Sequence, residues 1–347
     1  MTSIVTKVRH LLYRLPVPPQ QPGRLNVLLI TNSKKNQGWY RDNELIRLTN
    51  GVRIAEDFPW DRYGWDVRRA IEAIYGSGGP DVVYLHYNRA FSHRILGMDK
   101  LEMPKVGFVG DPQDFITAGE KYETKLNWMR EAGFDAYMTI APQANWMVRQ
   151  GLQDAAMPII NSHLAVDIDV FHDMKRRRDH DIGSFGAHTD AKYPFRIQVR
   201  DFLLAQDDYS FNRKQRVGRG GNDASRFARE LNRYVSCFTC ASAFGYTVAK
   251  YYEVPACGTL LFGEHTCFLD EFGYRDGVNF VEVAPGDFKD KFHYYLREIS
   301  PEERRRIAEA GRELVLSRHT WKHRAAGIVA GFEEVVAGNT NRVEINP

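Results

Sequence analysis

Cysteine is scarce in this chain: the 347 residues hold only Cys237, Cys240, Cys257 and Cys267, too few to staple a fold of this length. Cys237 and Cys240 form a C-x-x-C pair in "RYVSCFTCAS". A zinc site would need a second pair or a histidine cluster at ligand spacing, and neither accompanies it. The stretch reads as a strand, so the expectation is reduced, buried thiols in a cytoplasmic protein.

Long apolar runs are also missing. None approaches the roughly 20 residues of a membrane helix, and the N-terminus has no uninterrupted apolar core of a signal peptide. Charge of one sign is missing too: 47 basic against 44 acidic residues leave a formal charge of +3, which excludes general affinity for nucleic acid or anionic lipid. The glycine fingerprints of nucleotide enzymes are absent as well. After the first apolar run, "TNSKKNQGWYRDN" offers only Gly38, so there is no G-x-G-x-x-G and no P-loop.

What is present is a soluble composition, 43% hydrophobic and 12% aromatic, in a chain long enough for two domains. "RLNVLLIT" is a continuous apolar run of strand length, as expected of a parallel strand buried on both faces. Similar runs recur at "DVVYLHY", "PKVGFVGD", "FDAYMTIA" and "MPIINSHLA", separated by segments of helical period such as "RYGWDVRRAIEAIYG". This alternation predicts a doubly wound parallel sheet. A charge run near Lys175 to Asp179 breaks the pattern, and "DIGSFGAH" starts a second series that ends in the helix "SPEERRRIAEAGRELVLS", with Ser300 as its N-cap.

The expected organisation is an N-terminal segment 1–23, a Rossmann-like domain 24–175, a second one 176–330 and a C-terminal segment 331–347, the two α/β domains facing across a cleft. In the first segment Val5, Val8, Leu11, Leu12 and Leu15 share a helical face with Lys7, Arg9 and Arg14 between them. Residues 4–15 therefore suit either docking on the chain's own domain or a peripheral membrane contact.

Open α/β sheets bind ligands beyond the carboxyl ends of their strands, which directs attention to the loops there. "GSFGAH" brings Gly186 to such a loop, where backbone amides approach a phosphate closely or simply turn the chain. "FNRKQRVGRGGND" concentrates Arg213, Lys214, Arg216 and Arg219, a solvated loop or a diphosphate contact. In "SAFGYTVAKYYEVPACG", Lys250 and Glu253 stand three residues apart on one helical face. A lysine there can meet a phosphate while the carboxylate takes the hydroxyls of a ribose; a local salt bridge is the plainer alternative.

The string "LNRYVSCFTC…FGYTVAKYYEVPACGTLLFGE", followed by "YRDGVNFVEV" and "HTWKHRA", resembles the C-terminal donor domain of GT-B glycosyltransferases, especially the spore-maturation-type group. "HLAVDIDVFH" and "YPFR" resemble stretches flanking the interdomain linker, so the likeness covers roughly residues 160 to 330. The resemblance implies a nucleotide-sugar donor, UDP by family frequency, with Glu253 on the ribose and a helix start around Gly245, Tyr246 and Thr247 toward the diphosphate; Lys250, Gly186 and Arg219 join this donor-binding set on the readings of their own loops above. It implies catalysis without a bound metal or other cofactor. It fails at one place: retaining members often carry a glutamate eight positions before the ribose glutamate, where this chain has Gly245, so the sugar contact and the stereochemical course do not carry over.

On the acceptor side, His86 and Asp111 are the rival general bases, with Asp114 nearby and a satisfied core histidine as the plainer reading of His86; Trp60 and Trp65 in "EDFPWDRYGWD" suit either stacking on an acceptor or packing on the helix that follows. The acceptor expected is a glycan or lipid-linked saccharide, or else a hydroxymethylated DNA base, with the basic loop 213–219 in favour of the latter. A sugar-nucleotide epimerase and a non-catalytic nucleotide-sugar binder share the same motifs.

Overall fold

The computed structural model describes residues 14–31, 38–110, 127–140, 158–187, 193–211, 224–241, 245–266 and 268–339. Residues 4–13 of the amphipathic stretch, Asp111, Asp114, Arg213, Lys214, Arg216, Arg219 and Cys267 lie outside them.

The chain divides into two units, Met1–His163 with Arg324–Asn346, and Leu164–His323. The first is built on a six-stranded parallel sheet in the order β2-β1-β3-β4-β5-β6. Its strands are β1 (Asn26–Ile30), β2 (Asn50–Ile54), β3 (Val82–His86), β4 (Lys105–Gly110), β5 (Ala136–Thr139) and β6 (Ile159–Asn161). Val27 to Ile30 and Val82 to Leu85 are fully buried, which is why their sequences are apolar without alternation. The strand order reverses between β1 and β3, the place where open α/β sheets form a crevice. Helices α1 (Gly38–Leu48) and α2 (Val67–Tyr75) follow β1 and β2; Asp66 caps α2 by accepting the Arg68 amide.

The second unit carries a four-stranded parallel sheet, β10-β9-β8-β7, from β7 (His180–Ser184), β8 (Tyr234–Thr239), β9 (Leu260–Gly263) and β10 (Val281–Glu282). Between them run α3 (Pro194–Ala205), α4 (Ala224–Leu231) and α5 (Lys250–Ala256). One core layer joins Phe195, Val199 and Leu203 of α3 to Phe238, Leu260 and Phe262 of the sheet. The other sets α5 against Leu231, Cys237 and Val315, the last from α6 (Pro301–Arg318). Ser300 caps α6 as its sequence predicts, accepting the Glu303 amide at 3.1 Å. Cys237, Cys240 and Cys257 are free and buried, and burial pushes the Cys237 thiol up to about 12.

Three features depart from the sequence reading. Strand β2 was not foreseen. The boundary expected at 175/176 falls inside the second unit, because Val166 and Phe171 already pack in its core and Val166 bridges to Thr320. The segment 331–347 is not a separate tail throughout: the helix α7 (Trp321–Val336) buries Ala325, Ile328, Phe332 and Val335 in the core of the first unit, with Phe332 5.7 Å from the Tyr84 ring. Among the described residues, no helix is long and apolar enough to cross a membrane.

Candidate functional site

In the second unit, a group of charged residues gathers near the carboxyl ends of the strands. Gly186 lies just past β7 with φ +115°, a conformation suited to glycine. A β-carbon there would sit 2.9 Å from Arg196 Nη1 and 3.3 Å from Lys250 Nζ. The bare glycine thus lets two cations contributed by different helices come close to its backbone.

Arg196 reaches this point from the first turn of α3, where Pro194 starts the helix. It is 2% exposed; its guanidinium covers the Tyr193 ring at 4.0 Å and donates from Nη1 to Ala187 O at 2.9 Å, while Nε has no hydrogen-bond partner. Lys250 opens α5, half-buried, with Nζ 5.9 Å from the centre of the Phe227 ring. Desolvation depresses its pKa, Glu253 opposes the shift and Arg196 adds to it. Glu253, one turn further along, is pushed the other way: burial raises its pKa and Lys250 only partly offsets this. Glu264, directly after β9, is likewise raised by burial, against the pull of the Ala241 amide and Arg196.

None of Arg196, Lys250, Glu253 and Glu264 has an oppositely charged side chain within 4.0 Å among the described residues. The local salt bridge considered for Lys250 and Glu253 is therefore not made. Two cations and two carboxylates, partly desolvated and unpaired at one sheet edge, are poorly placed for stability and well placed for a ligand with both anionic and hydroxyl groups.

The segment before α5 differs from expectation. The helix start anticipated at Gly245 comes instead at Lys250, and Gly245 to Val248 form a loop. Gly245 has φ +75°, with nothing within 4 Å of where a β-carbon would be; Tyr246 is buried, and Thr247 hydrogen-bonds Thr266 through their hydroxyls at 2.6 Å. These residues shape the entry to α5. Two members of the cluster were not singled out by sequence: Arg196, quoted only within "YPFR", and Glu264, the last residue of "GTLLFGE". A charged residue inside a buried apolar helix face was the available signal for Arg196.

In the first unit, His86 ends β3 at the topological switch point, half-buried, its ring edge-on to Phe108 at 4.8 Å. Arg41 of α1 lies over the same Phe108 ring at 3.9 Å; it is 1% exposed, and its Nε and Nη2 have no hydrogen-bond partner. Asp42 beside it is raised by burial against the pull of Arg41 and Arg53. Trp60 is a core residue: 1% exposed, it donates its indole N–H to Ala55 O at 2.9 Å and stacks on Trp65 at 5.6 Å. This corrects its assignment to acceptor stacking. Trp65 is half-buried, with the Arg94 guanidinium 3.5 Å from its ring and φ +59°, rare for a bulky side chain.

The chain contains two Asp-x-Asp triplets, Asp167–Asp169 and Asp179–Asp181. Asp179 pairs with Arg233 and Asp181 with Arg297, and Asp167 accepts the Asp169 amide, so these carboxylates are engaged in the framework. No group of three His, Cys, Asp or Glu side chains suited to a metal occurs among the described residues.

Residues 169–330 match the model of a family described as glycosyl transferase-like. No curated protein sequence matches the chain. Among solved structures, the sucrose-phosphate synthase of Thermosynechococcus elongatus superposes with a TM-score of 0.57 at 13% identity, over 91% of this chain and 100% of that one. A glycosyltransferase from Rickettsia africae gives 0.56 at 11% identity, over 91% and 100%. The HepE protein of Anabaena, in complex with UDP-glucose, gives 0.56 at 11% identity, over 90% and 100%. The fold is that of GT-B glycosyltransferases, α/β with parallel sheets.

Proposed function

We propose that this protein is a glycosyltransferase that moves a sugar from a nucleoside diphosphate, UDP foremost, to a hydroxyl acceptor without a bound metal. The observation that carries the reading is the convergence of Arg196 and Lys250 on the bare Gly186, with no carboxylate within 4.0 Å of either among the described residues. A guanidinium and an ammonium so placed stabilise the charge that grows on a leaving diphosphate. Glu253 takes the two ribose hydroxyls, since an ionised carboxylate only accepts. The glycosyl transferase-like match over 169–330, the spore-maturation-type motif string and the UDP-glucose in the HepE neighbour all support this assignment. His86 is the acceptor-side base, with Asp111 as its rival, and the acceptor is a glycan or lipid-linked saccharide.

The test is a thermal-shift panel of UDP, GDP, dTDP and CMP. A nucleotide at 100 times its dissociation constant should stabilise the fold by about 2.7 kcal/mol. UDP giving the largest shift is the expected result, and no shift from any of the four would overturn the reading. A non-catalytic binder, the reading that Gly245 favours, would bind UDP-sugar but show no slow hydrolysis of it without acceptor.

A further inference from the structure

We infer that Glu264 holds hydroxyls of the donor's sugar, supplying from the end of β9 the carboxylate that the chain lacks at Gly245; this rests on the donor reading above. The loop at Gly245 offers no side chain, and nothing lies within 4 Å of where one would begin. The next unpaired carboxylate along the same sheet edge is Glu264.

Its position follows from the strand register. Ser184 pairs with Phe238 and Thr239 with Gly263, so the Gly186 loop and Glu264 follow directly on β7 and β9, either side of β8. At about 4.8 Å per strand, that separates them by roughly 10 Å, the scale of one phosphate and one sugar ring. The backbone of Glu264 is pinned: its N–H donates to Thr239 O at 3.2 Å, and its carbonyl accepts the buried Tyr251 hydroxyl. Only the side chain is left for a ligand. It accepts the Ala241 amide, and Arg196 adds a weaker pull on its charge.

The chemistry selects the group it meets. Close to a bound diphosphate a carboxylate is repelled, unless what lies between them offers hydrogen-bond donors. The nucleotide's ribose goes to Glu253, so the remaining donor-rich part of a nucleotide sugar is the sugar itself. The same carboxylate faces no cation within 4.0 Å among the described residues, so beyond the Ala241 amide no ion pair there occupies it.

The experiment is calorimetric titration of UDP and of UDP-glucose into the wild type, Glu264→Gln and Glu264→Asp. UDP should bind all three within about twofold, which also shows that the variants are folded, while UDP-glucose should bind the Gln variant about tenfold or more weakly than the wild type, with Asp between. Equal losses for UDP and UDP-glucose would overturn the inference in favour of a loop-positioning role, and so would UDP-glucose affinity unchanged by either substitution. A wild type that binds UDP but gains nothing from the glucose also overturns it while sparing the nucleotide site. A wild type that binds neither ligand overturns the donor reading itself.

Discussion

Lys250→Met separates a ligand-binding lysine from a structural one. Methionine keeps the length of the apolar stem, so the contact beside Phe227 largely survives while the charge goes. In the free protein that charge is desolvated, near Arg196, and without a carboxylate partner within 4.0 Å among the described residues. Its removal should therefore leave stability within about 1 kcal/mol of the wild type, or raise it. The charge-assisted hydrogen bond to a diphosphate is worth about 1.5 to 3 kcal/mol, so the dissociation constant for UDP should rise roughly 10- to 150-fold. Calorimetry with UDP and urea denaturation of the same preparation measure the two quantities. The sign with pH is also fixed. Because the folded-state pKa is depressed, wild-type affinity for UDP should fall as pH rises through it, earlier than for an ordinary lysine, and the Met variant should lack that slope. The unfolded chain holds the proton to higher pH, so the cost of the buried ammonium is present in full below the folded pKa and fades above it. Unchanged UDP affinity, or destabilisation beyond about 3 kcal/mol, would refute the reasoning and make Lys250 structural.

Glu253→Gln should weaken UDP binding by about tenfold or more without unfolding the protein, as read by calorimetry and circular dichroism; equal affinity would remove the ribose assignment. Glu264→Gln should be more stable than the wild type at neutral pH. Its raised folded-state pKa means that the ionised form carries a cost, fully present above that pKa and relieved as pH falls through it toward the ordinary 4.5, so urea midpoints of the two proteins should converge on acidification. Trp60→Ala should cost about 3 to 5 kcal/mol of stability, because it empties a core position; a loss under about 1 kcal/mol would contradict that placement. His86→Ala should lower turnover roughly 100- to 10,000-fold at nearly constant UDP affinity, with Asp111→Asn milder, and the opposite ranking would pass the base role to Asp111.

The parallel strands were legible because burial on both faces writes itself as unbroken apolar runs, as in Val27 to Ile30 and Leu260 to Phe262. β2 escaped because "NGVRI" has Asn, Gly and Arg in a strand of five and follows α1 almost directly. The unit boundary escaped because the charge run at 175–179 is conspicuous locally, whereas the anchoring of Val166 and Phe171 is a tertiary fact. The return of α7 to the first unit has no local signature either, since an amphipathic helix does not announce which sheet it will cover. At the site, Lys250 and Glu253 were visible as a pair through helical spacing, and the resemblance singled out Glu253. Arg196 and Glu264 join them only through strand register and the bare Gly186, which no spacing rule reports.

The central claim is that a nucleoside diphosphate sits at the carboxyl edge of the four-stranded sheet, against Gly186, Arg196, Lys250 and Glu253. Hydrogen exchange of the full chain, with and without saturating UDP, tests it most directly, because amides buried under a ligand exchange more slowly. Slowed exchange concentrated in peptides spanning 183–187 and 245–253 is the expected result. Unchanged exchange in both, with UDP demonstrably bound, would contradict the account.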